Sequence, residues 1–228
     1  PPKINPPSLS GFIIFADIMK LTNLNSTILI GLLGVLIILF GIITSATNYT
    51  GCSNQHYSIL NHFISELGQY EYSAKANIFN ISLIIGTPFI IFYCLKIIPD
   101  LSRNIKVLFI TIGCSAISIG IFSMDNIFIH VVAALIFFYL CFFASLLFNV
   151  YALFINKTGI PKYFIFSGVL ISITTLLNIV QFHQLDLDML TILKNRPNIL
   201  FICIIEWMSF GAMLLFYISS IVFISRKV

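Results

Sequence analysis

Charge is what this chain has least of. Asp, Glu, Lys and Arg make up 9% of its 228 residues, where soluble domains carry roughly 25%. That scarcity excludes an ordinary water-soluble globule. The net charge of +4 comes from basic residues scattered through short connections, with no stripe or run, so nucleic acid is not an expected partner. Cysteine is present but unorganised. Cys52, Cys94, Cys114, Cys141 and Cys203 are odd in number and show no CxxC spacing, which argues against a disulfide framework or a zinc knot. All but Cys52 lie in apolar runs and read as small apolar fillers. Neither HExxH nor HxxxH occurs, and no GxSxG surrounds Ser65 or Ser123. No metal and no cofactor are therefore indicated.

What is there is hydrophobicity. It covers 59% of the residues and includes 23 Phe, more apolar surface than a soluble interior hides, so the solvent for much of the chain must be lipid. A membrane span needs about 20 apolar residues. Six stretches qualify: 26–46, 77–98, 105–123, 127–154, 162–182 and 199–225. The expected fold class is all-α, a polytopic membrane bundle of six transmembrane helices. Gly86 and Pro88 predict a kink in the second span, and SMDN at 123–126 a tight hairpin. Residues 183–198 read as a polar loop with some helical content. Within the long first connection, HYSILNHFISELG (56–68) places Ile59, Leu60, Phe63, Ile64 and Leu67 at helical spacing, and Gly68 suits a C-terminal cap. This predicts a short interfacial amphipathic helix in the first outer loop. Residues 1–18 are proline-rich and precede Met19, which opens a stretch like a natural bacterial start. They are expected to be a non-native or disordered extension, leaving 19–228 as one six-helix domain.

Basic residues set the expected orientation. With the N-terminus in the cytoplasm, Lys20, Lys96, Arg103, Lys106, Lys157, Lys162, Arg226 and Lys227 lie inside, against Lys75, Lys194 and Arg196 outside. Eight against three favours both termini in the cytoplasm of a bacterial inner membrane.

The acidic residues and histidines then gather on the outer side. His56, His62, Glu66 and Glu71 lie in the first outer loop, Asp125 in the hairpin, and His183, Asp186 and Asp188 in the last outer loop. His130 and Glu206 lie one to two turns inside their spans. A carboxylate at membrane depth costs at least ~2.5 kcal/mol, so Glu206 must face the bundle or a wet cavity and either pair with a cation or stay protonated. His130 is a plausible partner. On the predicted interfacial helix, His62, Ser65 and Glu66 share a face, and the HxxxE spacing suits a metal-ligand pair, an acid–base pair or nothing more than a solvated surface. Glu66, His130 and Glu206 are the candidate catalytic residues, with His62, Ser65, Asp125 and Trp207 as the pocket around them. The alternative is structural, a Glu–His or Glu–hydroxyl bond that locks helices together. Asn80, Asn149, Asn178 and Gln181 read as interhelical hydrogen-bond glue.

Two motifs resemble a known family. HFISELGQYEYSAKANIFNISLIIGTP (62–88) carries ISELG, a short spacer, then Phe-Asn and a glycine-bearing span. GIFSMDNIFIHVVAALIFF (120–138) carries an acidic turn residue followed by a histidine that leads the next span. Together with six spans, the chain resembles the bacterial and archaeal membrane family called domain of unknown function 998. It is more distantly similar to the Frag/DRAM/Sfk membrane family through Ile64–Gly68 and the Glu206-Trp207 pair. That family includes proteins of lipid remodelling and of autophagy. The resemblance implies that Ser65, Glu66, Asp125, His130 and Glu206 line a lipid head-group site.

Three functions follow as expectations. The first is lipid binding or lipid modification in an outward polar pocket, with membrane lipids as partners. The second is a non-catalytic scaffold or assembly subunit with protein partners in the membrane. The third is a small transporter.

Overall fold

The computed structural model describes residues 9–51, 55–97, 103–155, 159–184 and 196–225, with side chains from residue 25 onward. Six helices organise them: α1 (Leu9–Thr47), α2 (Ala76–Ile97), α3 (Arg103–Ile121), α4 (Ile127–Val150), α5 (Lys162–Gln184) and α6 (Phe201–Ser225). Each contains a stretch long and apolar enough to cross a membrane, from Asn25–Thr47 in α1 to Phe201–Ser225 in α6. The predicted spans coincide with these to within a few residues. The reason is physical. In hydrocarbon every backbone N–H needs a partner within its own segment, and a helix supplies it. Among the described residues there is no strand, only an isolated bridge between Tyr49 and Ser73. Large apolar side chains such as Leu36, Phe40, Phe128 and Phe154 point outward, as a lipid-facing surface requires.

Consecutive helices are neighbours in the bundle. Lipid tails are as apolar as leucine, so close packing and hydrogen bonds must bind the helices. At α1–α2 the contact is glycine against glycine. A Cβ on Gly34 would sit 2.6 Å from the Gly86 carbonyl oxygen, and one on Gly86 would sit 2.7 Å from that of Gly34. Elsewhere polar side chains do the binding. Asn178 Nδ2 donates to Ser209 Oγ (2.6 Å) between α5 and α6. Asn149 Nδ2 donates to Ser172 Oγ (3.1 Å) between α4 and α5. Tyr93 and Ser220 hydroxyls meet at 2.7 Å, joining α2 to α6. Pro88 lies inside α2, which continues through it to Ile97. The fourth span is lengthened by a π-helical turn, Tyr151–Ile155. Helix α1 begins at Leu9, inside the stretch 1–18 set apart above. Most of the predicted polar loop 183–198 lies outside the described residues.

The predicted interfacial amphipathic helix is corrected. Residues 55–63 run as extended chain and turns, and only Ile64–Gly68 coil, as a single 3-10 turn. The apolar face read from the spacing is split: Phe63 and Leu67 are buried, whereas Ile59 and Leu60 are exposed. Tertiary contacts override the local period here. The Leu200 N–H donates to the Leu60 carbonyl (2.8 Å), and Asn61 Nδ2 donates to the Pro197 carbonyl (3.1 Å). These bonds pull the segment against the chain entering α6.

Candidate functional site

Three connections meet at one end of the bundle: residues 47–76, the hairpin 122–126, and 196–200 before α6. Their polar groups are pinned one to another. Asn80 Nδ2 donates to the Gly68 carbonyl (2.9 Å) and ties the 3-10 turn to α2. Ser65 Oγ approaches Met124 Sδ at 3.2 Å. The Tyr70 N–H donates to Asp125 Oδ2 (3.1 Å), and so does the Ser123 hydroxyl (2.5 Å). Met124, Phe63, Ile202 and Cys203 fill the apolar space beneath.

Glu66 is the centre of this cap. Its side chain is 0% exposed and that of Arg196 5%. Glu66 Oε1 accepts the Phe63 N–H (2.8 Å) and Arg196 Nη1 (2.9 Å). Oε2 accepts the Tyr49 hydroxyl (2.8 Å) and Arg196 Nη2 (2.6 Å). The pair is thus a bidentate fork with two further donors, the geometry that makes charge-assisted bonds strong. Arg196 Nη1 also donates to the Asn61 carbonyl (2.8 Å). Burial alone would pull the guanidinium pKa down, but the hydrogen bonds and charge of Glu66 turn the net shift upward.

Aromatic residues wall the pair. Tyr49 stands edge-on to Tyr57 and to His62, with centroids 5.3 and 5.1 Å away. The Tyr57 hydroxyl donates to the Phe63 carbonyl (2.8 Å) and accepts from Trp207 Nε1 (3.2 Å). Burial, helped by the nearby Glu206 and Glu66 charges, pushes the Tyr57 phenol far up, so it remains a donor. His62 is buried, with Nδ1 beside the Ser58 backbone and Nε2 3.3 Å from the Gln55 amide. Burial lowers its pKa against the pull of Glu66, so the ring is neutral near pH 7.

Glu206 reaches this cap from below. Its Oε2 accepts the Ile64 N–H at 2.9 Å. The same peptide group is held at its other end, because the Phe63 carbonyl takes the Tyr57 hydroxyl. Glu206 and Trp207 are half-buried.

Of the residues predicted from sequence, the structure brings Glu66, His62, Ser65, Glu206 and Trp207 together. Asp125 stands exposed at the rim. His130 does not pair with Glu206. Its Nδ1–H donates to the Phe122 carbonyl (2.7 Å) and clamps α4 to the end of α3. The shared helical face of His62, Ser65 and Glu66 is lost with the helix that would have carried it. His56 and Glu71 are exposed, and His183 pairs with the Tyr139 hydroxyl (2.8 Å) away from the cap. Asp186 and Asp188 lie outside the described residues. Among the described residues, no three of His, Cys, Asp and Glu gather as a metal would need. A shallow apolar groove of about 320 Å³ between α1 and α2, lined by Leu36, Phe40, Ile81 and Ile85, lies on the outward face of the helices and not at the cap.

Arg196, Tyr49 and Tyr57 were not singled out by sequence. One signal pointed to Arg196. A buried Glu66 needs a cation, and on the expected outer side only Lys75, Lys194 and Arg196 are available.

A model of the family described as "Protein of unknown function (DUF998)" matches residues 32–222. The chain belongs to this family. Both motifs and all six spans of this DUF998 chain fall within the match or at its edges, so the cap around Glu66 and Arg196 is part of the family domain. No curated protein and no solved structure matches the chain.

Proposed function

We propose that this integral membrane protein is a non-catalytic module, a scaffold or assembly subunit, and that the Glu66–Arg196 centre of its polar end is closed and is not a reaction site. One observation carries the reading: both oxygens of the Glu66 carboxylate are filled, by four donors that include a bidentate arginine. A general base needs a free lone pair within reach of substrate, and a buried, doubly bridged carboxylate offers none. His130, buried with its Nδ1–H on the Phe122 carbonyl, is shielded from substrate and supports the same reading. The test is to introduce E66Q and H130N separately and compare membrane lipid profiles with the wild type. Unchanged profiles with lowered stability in detergent are expected. A changed profile in a variant that folds like the wild type would overturn the proposal.

A second reading, lipid binding without turnover, is favoured by Glu206. It is half-buried and followed in α6 by Trp207, and indole rings favour the membrane interface. No observation favours transport.

The capped end is proposed to face outward from a bacterial inner membrane, with both termini in the cytoplasm. Lys96, Arg103, Lys106 and Lys162 are exposed at the opposite end, whereas the charge of Arg196 is cancelled by Glu66. A C-terminal fluorescent-protein fusion should fold and emit, and a phosphatase fused there should stay inactive. The reverse result overturns the assignment.

A further inference from the structure

One acid at the capped end has no cation beside it among the described residues. Glu66 and Arg196 neutralise each other. His62 is neutral and Tyr57 keeps its proton. Asp125, Glu71 and Lys75 are exposed and belong to the aqueous rim. On the neighbouring α5 the facing residue is Asn178, an uncharged amide. That leaves Glu206, which has no cationic partner among the described residues. Its Oε2 takes the Ile64 N–H, and its Oε1 takes no hydrogen bond among the described residues.

The surroundings say what kind of cation fits. A bare metal ion is a poor match, because among the described residues no three of His, Cys, Asp and Glu gather. Tyr57 lies within electrostatic reach of Glu206 and meets Trp207 edge to face at 6.1 Å, and Phe210 adds a third ring 6.1 Å from Trp207. Aromatic rings next to a carboxylate favour an organic ammonium. Depth agrees. Glu206 lies five residues into α6, and 1.5 Å per residue puts it roughly 7.5 Å below the start of the helix, near the boundary of head groups and acyl chains. One turn further in, Asn178 is fully buried beside Ser209, and its Oδ1 has no hydrogen-bond partner among the described residues.

We infer that Glu206, flanked by Trp207 and Tyr57, is the acceptor of a primary ammonium group, carried by a phospholipid head group or by a free amine. A primary ammonium donates hydrogen bonds directly to Oε1. A quaternary one has no N–H to give. The inference rests on the second reading above, that this end binds, and leaves the non-catalytic reading independent of it.

Trp207 is the only tryptophan, so its emission reports on the site. The protein is placed in nanodiscs of phosphatidylglycerol alone and titrated with dihexanoyl phosphatidylethanolamine, dihexanoyl phosphatidylcholine, ethanolamine and choline. A saturable emission change with the ethanolamine lipid is expected, weakened at least ~30-fold in E206Q, with little response to either choline probe. A response to ethanolamine but not to its lipid also supports the ammonium site and assigns it to a free amine. Equal responses to both lipids that persist in E206Q would leave lipid binding standing and overturn the ammonium site. Silence toward both lipids would sink lipid binding, and silence toward ethanolamine as well would overturn the ammonium site with it. If E206Q does not fold, the wild type's discrimination between ethanolamine and choline decides.

Discussion

At the seam between α1 and α2, two helix backbones touch through Gly34 and Gly86, with no charge in the contact. At the capped end, three connections are joined by a buried ion pair, backbone bonds and a wall of aromatic rings. Both contacts are buried, yet they are built from opposite materials. Inside the bilayer an unpaired charge has no water to fall back on, so the seam is made by removing side chains. At the end of the bundle, water is close while the chain assembles, so charges can be brought in and then sealed. The comparison teaches that the most polar residues of this protein mark where helices stop, and that glycine and hydroxyl groups mark where they meet.

The comparison can be broken most forcefully at Arg196. R196A leaves the Glu66 carboxylate buried without a cation, and is expected to cost about 3–5 kcal/mol, read as a lowered midpoint in detergent unfolding. The double substitution E66Q/R196M removes both charges and should recover a large part of that loss. If the double variant is as unstable as R196A, the ion pair is not what holds the cap. The seam comes next. G34V pushes a side chain against a backbone oxygen that cannot rotate away, and should cost about 1–3 kcal/mol, with the loss independent of pH. Third is the hydroxyl–amide contact between α5 and α6. N178L should cost about 0.6–1.7 kcal/mol, less than either of the first two.

The smallest effects belong to the cap's periphery. Burial holds His62 below its usual value, so the unfolded chain takes up a proton there before the folded one does. Between the two pKa values the unfolded state binds more protons, and stability therefore rises with pH. Stability should fall as pH drops below about 6.5, the unfolded value, and H62Q should flatten that slope. A slope unchanged in H62Q would assign the acid sensitivity elsewhere. D125N, at an exposed position, should stay within about 0.5 kcal/mol of wild type.

The six spans were legible because a run of about 20 apolar residues has few other physical solutions. The amide glue was legible for a related reason: Asn149 and Asn178 within spans had to find partners, and they found serines. The cap was legible only in part. Glu66, Glu206 and His62 were marked by polarity and position. The partner of His130 is a backbone carbonyl, which every residue has, so nothing in the sequence distinguishes Phe122. Residues 56–68 carry a genuine helical spacing. It was overruled by bonds to Pro197 and Leu200, residues that no local pattern connects to it. The Glu66–Arg196 pair spans 130 positions, and only the folded bundle brings its halves together.

That separation also orders the protein's biogenesis. Glu66 follows the first span, and Arg196 comes after the fifth and just before the last. A chain leaving the insertion machinery has Glu66 waiting, without its cation, while four more helices enter the bilayer. The bridge can close only when α6 begins to follow. The ion pair thus acts as a clasp fastened at the end of assembly, and a chain truncated before Arg196 carries an acid that keeps its first connection open to water.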